Sequence, residues 1–169
     1  GVVYVAEQVG LQREVAVKVL DTSIGDASWV ERFMAEAQML ANMRHPHTVR
    51  VFDFGQSDDG TPYLVTELLH GQSLADRLKQ GALPPDEVLN ILHDVASALG
   101  EVHALGIVHR DLKPGNIFLD EVQGATVVKV LDFGLAKRIN PDALSTRDDR
   151  GVRTQAGTLL GTPAYISPE

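Results

Sequence analysis

The chain has 169 residues, of which 44% are hydrophobic and 22% charged, a composition typical of a globular domain rather than a disordered tail or a fibrous repeat. Its 15 Lys and Arg against 23 Asp and Glu give a net charge of −8, which argues against nucleic acid as a partner because phosphate backbones bind basic surfaces. The absence of cysteine excludes a disulfide scaffold, a Cys–zinc site and a thiol nucleophile. No apolar run approaches the roughly 18 residues of a membrane span, and no signal-peptide pattern is present, so we expect no membrane segment in this chain.

Two runs rich in β-branched residues, at 2–9 and 13–20, flank a turn at Gly10 and predict a β-hairpin. Because strand side chains alternate between faces, Ala16 and Lys18 share one face of the second strand. A lysine in this apolar setting either extends its ammonium group to solvent or has a function.

A helix is predicted over 29–43, with Ser28 as its N-cap and Glu31 completing a capping box. Its apolar stripe consists of Trp29, Phe33, Ala37, Leu40 and Ala41. Glu36 falls on or beside this stripe, where an unpaired carboxylate would be costly, so we expect it to have a cationic partner.

The remaining elements follow from the same signals. They are, in chain order, strands at Val49–Phe54 and Tyr63–Leu68, a short helix capped by Ser73, a long helix at 86–105, and strands at Ile117–Leu119 and Val127–Leu131. The apolar residues predicted to line the long helix are Val88, Leu92, Val95, Leu99 and Val102. This order indicates an α+β fold with segregated lobes and a boundary at Glu67–Ser73, rather than a parallel βαβ sheet.

Five short motifs occur in one order along the chain. They are VAVK at 15–18, HRDLKPGN at 109–116, DFG at 132–134, GTP at 161–163 and SPE at 167–169. Together they resemble the signature of the eukaryotic-like Ser/Thr protein kinases, in a style similar to the bacterial members. The resemblance covers essentially the whole chain and implies a bilobal protein-kinase fold that is truncated, with an antiparallel sheet and one helix in the N-lobe and a partial helical C-lobe. The implied bounds are 1–66 for the N-lobe, 67–73 for the hinge and 74–169 for the C-lobe.

The resemblance implies transfer of the γ-phosphate of ATP to Ser or Thr hydroxyl groups of proteins, with Mg²⁺. Asp111 would be the catalytic base, and Lys113 would stabilise the transferred phosphate. Asn116 and Asp132 would hold the metal ions with hard oxygen ligands. Lys18 would bind the α- and β-phosphates, with Glu36 as the partner that holds it in place.

The nucleotide pocket is likewise implied residue by residue. The residues expected to bind the cofactor are Gly1, Val3, Ala16, Lys18, Glu36, Thr66, Glu67, Leu69 and Phe118. Backbone groups of Glu67 and Leu69 would bind the adenine edge, and Thr66 would stand at the gatekeeper position. His109, Phe133, Leu40 and Val51 would form an internal hydrophobic stack.

The segment 135–161 would be the activation loop, long for a structureless connection and therefore expected to be regulatory. A phosphate on Thr158 would carry nearly two negative charges and could pair with Arg110. Thr162 would hydrogen-bond the catalytic Asp111–Lys113 pair. Self-phosphorylation in trans is a further expectation.

Two departures from the family pattern lead us to expect a fragment of a longer protein. Only Gly1 and Val3 remain of the glycine-rich loop, and the helical region expected after Glu169 is missing. We therefore expect the 169-residue piece to be weak or inactive, with exposed apolar surface and marginal stability. A cytoplasmic location is expected, with any membrane anchor of the parent protein outside this segment.

Two other classes of protein are alternatives to an active protein kinase. A pseudokinase scaffold would bind nucleotide without transferring phosphate, but such scaffolds commonly lack Lys18, Asp111 or Asp132, and all three are present. A small-molecule phosphotransferase of related fold would lack the HRDLKPGN form. Taken singly, Asp132 and Asn116 could each merely cap a turn.

Overall fold

The computed structural model of the chain describes residues 1–20, 27–133 and 163–165. In chain order its elements are β1 (Val2–Gln8), β2 (Arg13–Val19), α1 (Ala27–Ala41), β3 (Val51–Gln56), β4 (Pro62–Glu67), β5 (Gly71–Ser73), α2 (Leu74–Lys79), α3 (Pro85–Ala104), β6 (Ile117–Val122) and β7 (Ala125–Val130). Short 3-10 turns lie at Val9–Leu11, Pro114–Asn116 and Pro163–Tyr165. The antiparallel sheets and their separation confirm the predicted α+β kinase-like class.

The first sheet is antiparallel throughout and has the strand order β1-β2-β4-β3. β1 and β2 form the predicted hairpin, and β2 pairs with β4 so that Ala16 lies opposite Thr66. α1 packs on β3, and its buried side chains are Phe33, Ala37 and Leu40. Because β2 is an inner strand, Lys18 is held in register on both sides.

The segment before β3 joins the first sheet to the second. The Val49 N–H donates to Val130 O at 3.2 Å, and the Val130 N–H donates to His47 O at 2.8 Å. This pairing with β7 occupies the residues that were expected to start β3, so β3 begins at Val51 rather than at Val49. Backbone hydrogen bonds therefore connect the two sheets through the residues that immediately precede β3 in the chain.

The second sheet has the order β5-β6-β7 and is also antiparallel. β5 was not predicted; it lies within the segment 67–73 that was expected to be only a boundary. Gly71 has φ of 149°, and a Cβ there would stand 2.1 Å from Leu119 O, so the close pairing with β6 requires glycine. Ser73 caps α2 as predicted, since its side chain accepts from the Asp76 N–H.

The long helix α3 confirms the predicted helix and part of its predicted apolar stripe. It starts with proline at Pro85, and Gly106 follows its end with φ of 75°. The buried residues are Ile91, Val95, Ala98 and Val102. Of the five predicted apolar residues, Val95 and Val102 are buried and Leu99 packs against the core, whereas Val88 and Leu92 are exposed.

A single cluster of buried apolar side chains connects α1, the two sheets and α3. Exposed apolar side chains on α3, namely Val88, Leu89 and Leu92, agree with the expected apolar surface. Among the helices in the described ranges, none has both the length and the apolar character needed to cross a bilayer.

Candidate active site between the two sheets

A cavity of about 260 Å³ lies between the first sheet, the segment after β4, and the strands β6 and β7. Its lining residues are Val3, Ala16, Lys18, Leu40, Val49, Val51, Leu64, Thr66, Glu67, Leu68, Leu69, Phe118, Leu131, Asp132 and Phe133. Seven of the nine residues predicted to bind the cofactor are among them. Motifs that are far apart in sequence therefore converge on one cleft.

The apolar end of the cavity is built by strand register. Ala16 and Thr66 are cross-strand partners on β2 and β4, and Val3 pairs with Lys18 from β1. Phe118 on β6 contributes from the second sheet. The cavity thus has small and aliphatic side chains on one side and an aromatic ring on the other, an arrangement that suits a flat ring system.

The polar end of the cavity contains an ion pair between Lys18 and Asp132. The Lys18 ammonium contacts Asp132 Oδ1, and the two side chains are 27% and 51% exposed. Asp132 has φ of 51°, in the left-handed region that non-glycine residues rarely adopt. Strain of this kind is common at functional sites. Here it occurs at a residue of the polar end of the cleft.

The structure differs from the expected pairing of Lys18 with Glu36. Within the described ranges, Lys18 is paired with Asp132, while Glu36 lines a separate cavity of about 50 Å³ together with Arg110 and Phe133. Asp132 and Glu36 are two candidate carboxylates for one ammonium group, and the position of α1 relative to β2 leaves Glu36 directed to the second cavity. Glu36 has an interaction of its own.

The loop after α3 brings three predicted residues into one buried network. Asp111 is only 8% exposed, and Lys113 Nζ lies 3.0 Å from its Oδ2. The Asn116 side-chain amide donates to Asp111 O at 2.8 Å and to Asp111 Oδ2 at 3.2 Å. The carboxylate is therefore oriented from two sides, which is the positioning that a general base requires.

His109 anchors this loop to the strand that leads to Asp132. Its Nε2–H donates to Leu131 O at 2.8 Å, and its Nδ1 accepts from the Asp111 N–H at 3.3 Å. Its ring lies 5.0 Å from the Phe133 ring, and His109, Phe133, Leu40 and Val51 are all buried, as the predicted stack requires. This histidine thus ties the backbone at Asp111 to the strand end that leads into Asp132.

Burial lowers the pKa of His109 from its ordinary value near 6.5, and the bond to Leu131 O opposes this shift only in part. A group with a lowered folded pKa binds more protons when unfolded, so its contribution to stability is complete above pH 6.5 and is lost as the pH falls through the window below it. Protonation at Nδ1 would also break the bond from the Asp111 N–H. We expect the free energy of unfolding to decrease between pH 7.5 and pH 5.5.

Urea unfolding at both pH values tests this expectation in wild type, His109→Phe and His93→Gln. The phenylalanine variant should lose less stability on acidification than wild type does, because it has no proton to gain at this site. His93 is exposed, so its variant should keep the wild-type pH dependence. An unchanged pH dependence in His109→Phe would contradict the assignment.

The chemistry of Asn116 and Asp132 fits a magnesium site. The Asn116 amide nitrogen is used by Asp111, so its amide oxygen is the atom that could bind a metal ion, and Asp132 adds a half-exposed carboxylate. Magnesium is commonly held by one or two protein oxygens together with phosphate oxygens, so a larger protein cage is not needed. Consistent with this, no group of three or more His, Asp or Glu residues suited to a metal occurs in the part of the chain that the structure describes.

Besides Glu36 and the buried network of Asp111, Lys113 and Asn116, four more predicted residues do not line the cleft or lie outside the described ranges. Gly1 is exposed and does not line the cavity, and Arg110 is exposed with φ of 63°. Thr158 and Thr162 lie outside the described residues. Their predicted regulatory roles therefore stay predictions.

Sequence reasoning missed several apolar residues of the cleft. Val49, Leu64, Leu68 and Leu131 line the cavity but carry no motif. Two of them could have been found from their neighbours in sequence, because Leu68 lies between two predicted residues and Leu131 directly precedes Asp132. Val49 and Leu64 depend on strand register, which a single sequence does not fix.

The family model for the protein kinase domain matches residues 1–169. The chain belongs to the protein kinase family. Among curated relatives, it is 44% identical over 170 residues to the serine/threonine-protein kinase pkn2 of Myxococcus xanthus, covering 100% of this chain and 20% of that protein. It is 38% identical over 172 residues to the serine/threonine-protein kinase PknB of Mycobacterium leprae, covering 99% of this chain and 26% of that protein.

Solved structures agree with the family and the fold. The PknI kinase domain of Mycobacterium tuberculosis superposes with a TM-score of 0.71 at 32% identity, over 79% of this chain and 54% of that chain. A structure of Rad53 in complex with AMP-PNP superposes with a TM-score of 0.69 at 30% identity, over 79% of this chain and 34% of that chain. The chain thus spans a fifth to about a quarter of the two curated relatives and about half of the PknI kinase domain.

Proposed function

We propose that the full-length protein transfers the γ-phosphate of ATP to Ser and Thr hydroxyl groups of protein substrates. The observation that carries this proposal is the convergence of Lys18 and Asp132 in a cleft of about 260 Å³ whose other end suits a flat base. The relatives named serine/threonine-protein kinases support the chemistry. The AMP-PNP named with the Rad53 structure supports an adenine nucleotide as the ligand.

The nucleotide base would lie between Val3 and Ala16 on one side and Phe118 on the other. Backbone groups of Glu67 and Leu69, which line the same cavity, would bind the adenine edge. The phosphates would then extend toward Lys18 at the polar end. Thr66 is a small side chain beside the base and leaves a modest space behind it.

Lys18 must leave Asp132 before it can bind phosphate. Both side chains are partly exposed, so opening this pair costs about 1 kcal/mol or less. The opening frees the ammonium for the α- and β-phosphates and the carboxylate for a metal ion. Asp132 and Asn116 would hold Mg²⁺, which when bound neutralises charge on the phosphate oxygens.

Asp111 would accept the proton of the substrate hydroxyl as its oxygen bonds to the γ-phosphorus. The bond from the γ-phosphorus to the bridging oxygen breaks in the same transfer, so the products are a phosphoester and ADP. Lys113, which lies 3.0 Å from Asp111, would stabilise the transferred phosphate as its charge shifts. Phosphoryl transfer depends mainly on such positioning and charge neutralisation.

The lobe bounds and the regulatory roles belong to the same proposal. The N-lobe at 1–66, the hinge at 67–73 and the C-lobe at 74–169 are proposed on the resemblance; the change from the first sheet, which ends at Glu67, to β5 of the second sheet, which starts at Gly71, falls inside that hinge. Phosphorylation of Thr158, pairing with Arg110 and self-phosphorylation in trans are proposed on the family resemblance. A cytoplasmic catalytic domain is proposed on the same ground.

The function is tested by incubating the full-length protein with γ-labelled ATP and casein, in Mg²⁺ or in excess chelator. We expect label on casein only with Mg²⁺, and phosphoamino-acid analysis should find it on serine and threonine. Binding of ATP without any transfer in Mg²⁺ would contradict the proposal and favour the pseudokinase scaffold. Label on tyrosine alone would contradict the Ser/Thr specificity.

A further inference from the structure

A third, polar cavity, of about 330 Å³, lies behind the hinge and shares the residue Glu67 with the nucleotide cleft. It is lined by Met43, Arg44, His45, Pro46, Thr48, Arg50, Glu67 and Lys129. Small-molecule pockets usually measure roughly 300–1,000 Å³, so this volume can hold a small ligand. Nothing in the proposed kinase mechanism uses it apart from the Glu67 backbone.

The charge of this cavity is opposite to that of the chain. Arg44, Arg50 and Lys129 contribute three positive charges and Glu67 one negative charge, in a protein whose net charge is −8. His45 Nδ1 accepts from the His47 N–H at 3.2 Å, and its Nε2 lies 2.9 Å from Ser97 Oγ, so both ring nitrogens already have partners. The lining therefore carries a formal charge of about +2.

The anionic groups of this region are already engaged. Glu67 Oε1 accepts from Lys129 Nζ at 2.7 Å and from the Arg50 N–H at 2.8 Å. The Glu101 carboxylate, outside the lining, accepts from the Arg44 and His45 N–H groups at 3.4 and 3.1 Å. Within the described ranges, neither Arg44 nor Arg50 has its guanidinium group in an ion pair.

The cavity therefore presents more donors than acceptors. Two guanidinium groups keep their donors available, and Lys129 Nζ has three donors, of which Glu67 takes one. The three cations around the cavity repel each other, and the one carboxylate of Glu67 offsets only one of their charges. We propose that this cavity binds a phosphate group, either as the free ion or as a monoester.

Phosphate is the anion that matches the charge and the donors best. A phosphate monoester carries about −1.5 to −2 charges at pH 7, close to the opposite of the lining charge, and has three strong acceptor oxygens. Arginine binds phosphate with two parallel N–H donors, and lysine adds a point charge. This inference does not depend on the catalytic proposal, because none of its three cations is assigned a catalytic role.

Line broadening of ³¹P signals in NMR tests the site with the full-length protein at constant ionic strength. The probes are inorganic phosphate and phenyl phosphate, and the proteins are wild type, Arg44→Gln, Arg50→Gln, the double variant and Arg77→Gln. We expect each single cavity variant to weaken phosphate binding about tenfold, since a hydrogen bond to a charged group is lost. Both arginines are exposed, so these variants should fold.

Two controls make the result specific. Arg77 lies on α2 outside the cavity, so Arg77→Gln removes the same charge and should leave binding within about twofold of wild type. Lys18→Met removes a cation of the nucleotide cleft and should also leave phosphate binding intact. Tighter binding of phenyl phosphate would identify a monoester as the ligand, and binding of inorganic phosphate alone would identify the free ion. No broadening, equal affinities in all variants, or loss only in Lys18→Met would overturn the proposal.

Discussion

Asp111→Asn in the full-length protein will lower kcat for phosphate transfer by about 10²–10⁴-fold, because that is the usual contribution of a positioned general base. The asparagine keeps the size of the side chain but is a poor proton acceptor. KM for ATP should change little, since Asp111 is not among the residues that line the nucleotide cavity. Initial rates with labelled ATP and casein, measured over a range of ATP concentrations, give both constants.

Asp58→Asn is the matched control for this variant. It makes the same carboxylate-to-amide change at an exposed turn between β3 and β4, so its rates should equal those of wild type. Circular dichroism should find all three proteins folded to the same extent. Equal incorporation of phosphate by Asp111→Asn and wild type would refute the role given to Asp111.

Lys18→Met should reduce kcat/KM for ATP by about 10²–10³-fold, the usual effect of removing one preorganised charged donor. The loss should not come from unfolding, because the Lys18–Asp132 ion pair is partly exposed and such pairs contribute about 1 kcal/mol or less. Thermal unfolding and phosphate transfer are measured on the same preparation. The expected pattern is a large loss of activity with a small change in Tm.

Lys79→Met provides the comparison for Lys18→Met. Lys79 also forms an ion pair, with Asp76 at 2.7 Å, but both residues lie on the exposed helix α2. The variant removes a lysine and a surface ion pair while leaving the cleft unchanged, so its activity should remain that of wild type. Comparable losses of activity in the two variants would contradict the proposal that Lys18 binds the nucleotide phosphates.

The sequence predicted which residues belong to the candidate site better than it predicted which of them contact each other. The expectation that Glu36 has a cationic partner followed from its position on or beside an apolar stripe, and the family resemblance named Lys18 as that partner. Which carboxylate meets Lys18 depends on the distance between α1 and β2, a tertiary quantity. The structure pairs Lys18 with Asp132, a residue 114 positions away that carries a left-handed backbone.

The errors in the fold have identifiable physical causes. The prediction that Ser28 caps the first helix is wrong. α1 begins at Ala27, two residues before the predicted start at 29, so Ser28 lies inside the helix. β5 was missed because three residues are too few to show an alternating pattern. On α3, periodicity alone could not fix the centre of the buried face, which includes Ile91 and Ala98 and leaves Val88 and Leu92 exposed.

The cleft itself could be predicted because its chemistry is concentrated in short motifs. Residues such as Asp111, Asn116 and Asp132 are recognisable by type and spacing, and the structure places Asp111 and Asn116 in hydrogen-bond contact. The phosphate cavity behind the hinge had no such motif. Its arginines and Lys129 come together only because the segment before β3 pairs with β7.

The central claim is that the phosphates of a nucleotide lie beside Lys18 in the cleft, and an acyl phosphate derivative of ATP tests it most directly. Such a probe transfers its acyl group to a neighbouring lysine amine, forming an amide and releasing the nucleotide, and mass spectrometry identifies the lysine. We predict acylation of Lys18 and Lys113 that excess ATP with Mg²⁺ prevents, and little at Lys79 or Lys129. Equal acylation of all four lysines, or acylation of Lys18 that ATP does not reduce, would contradict the account.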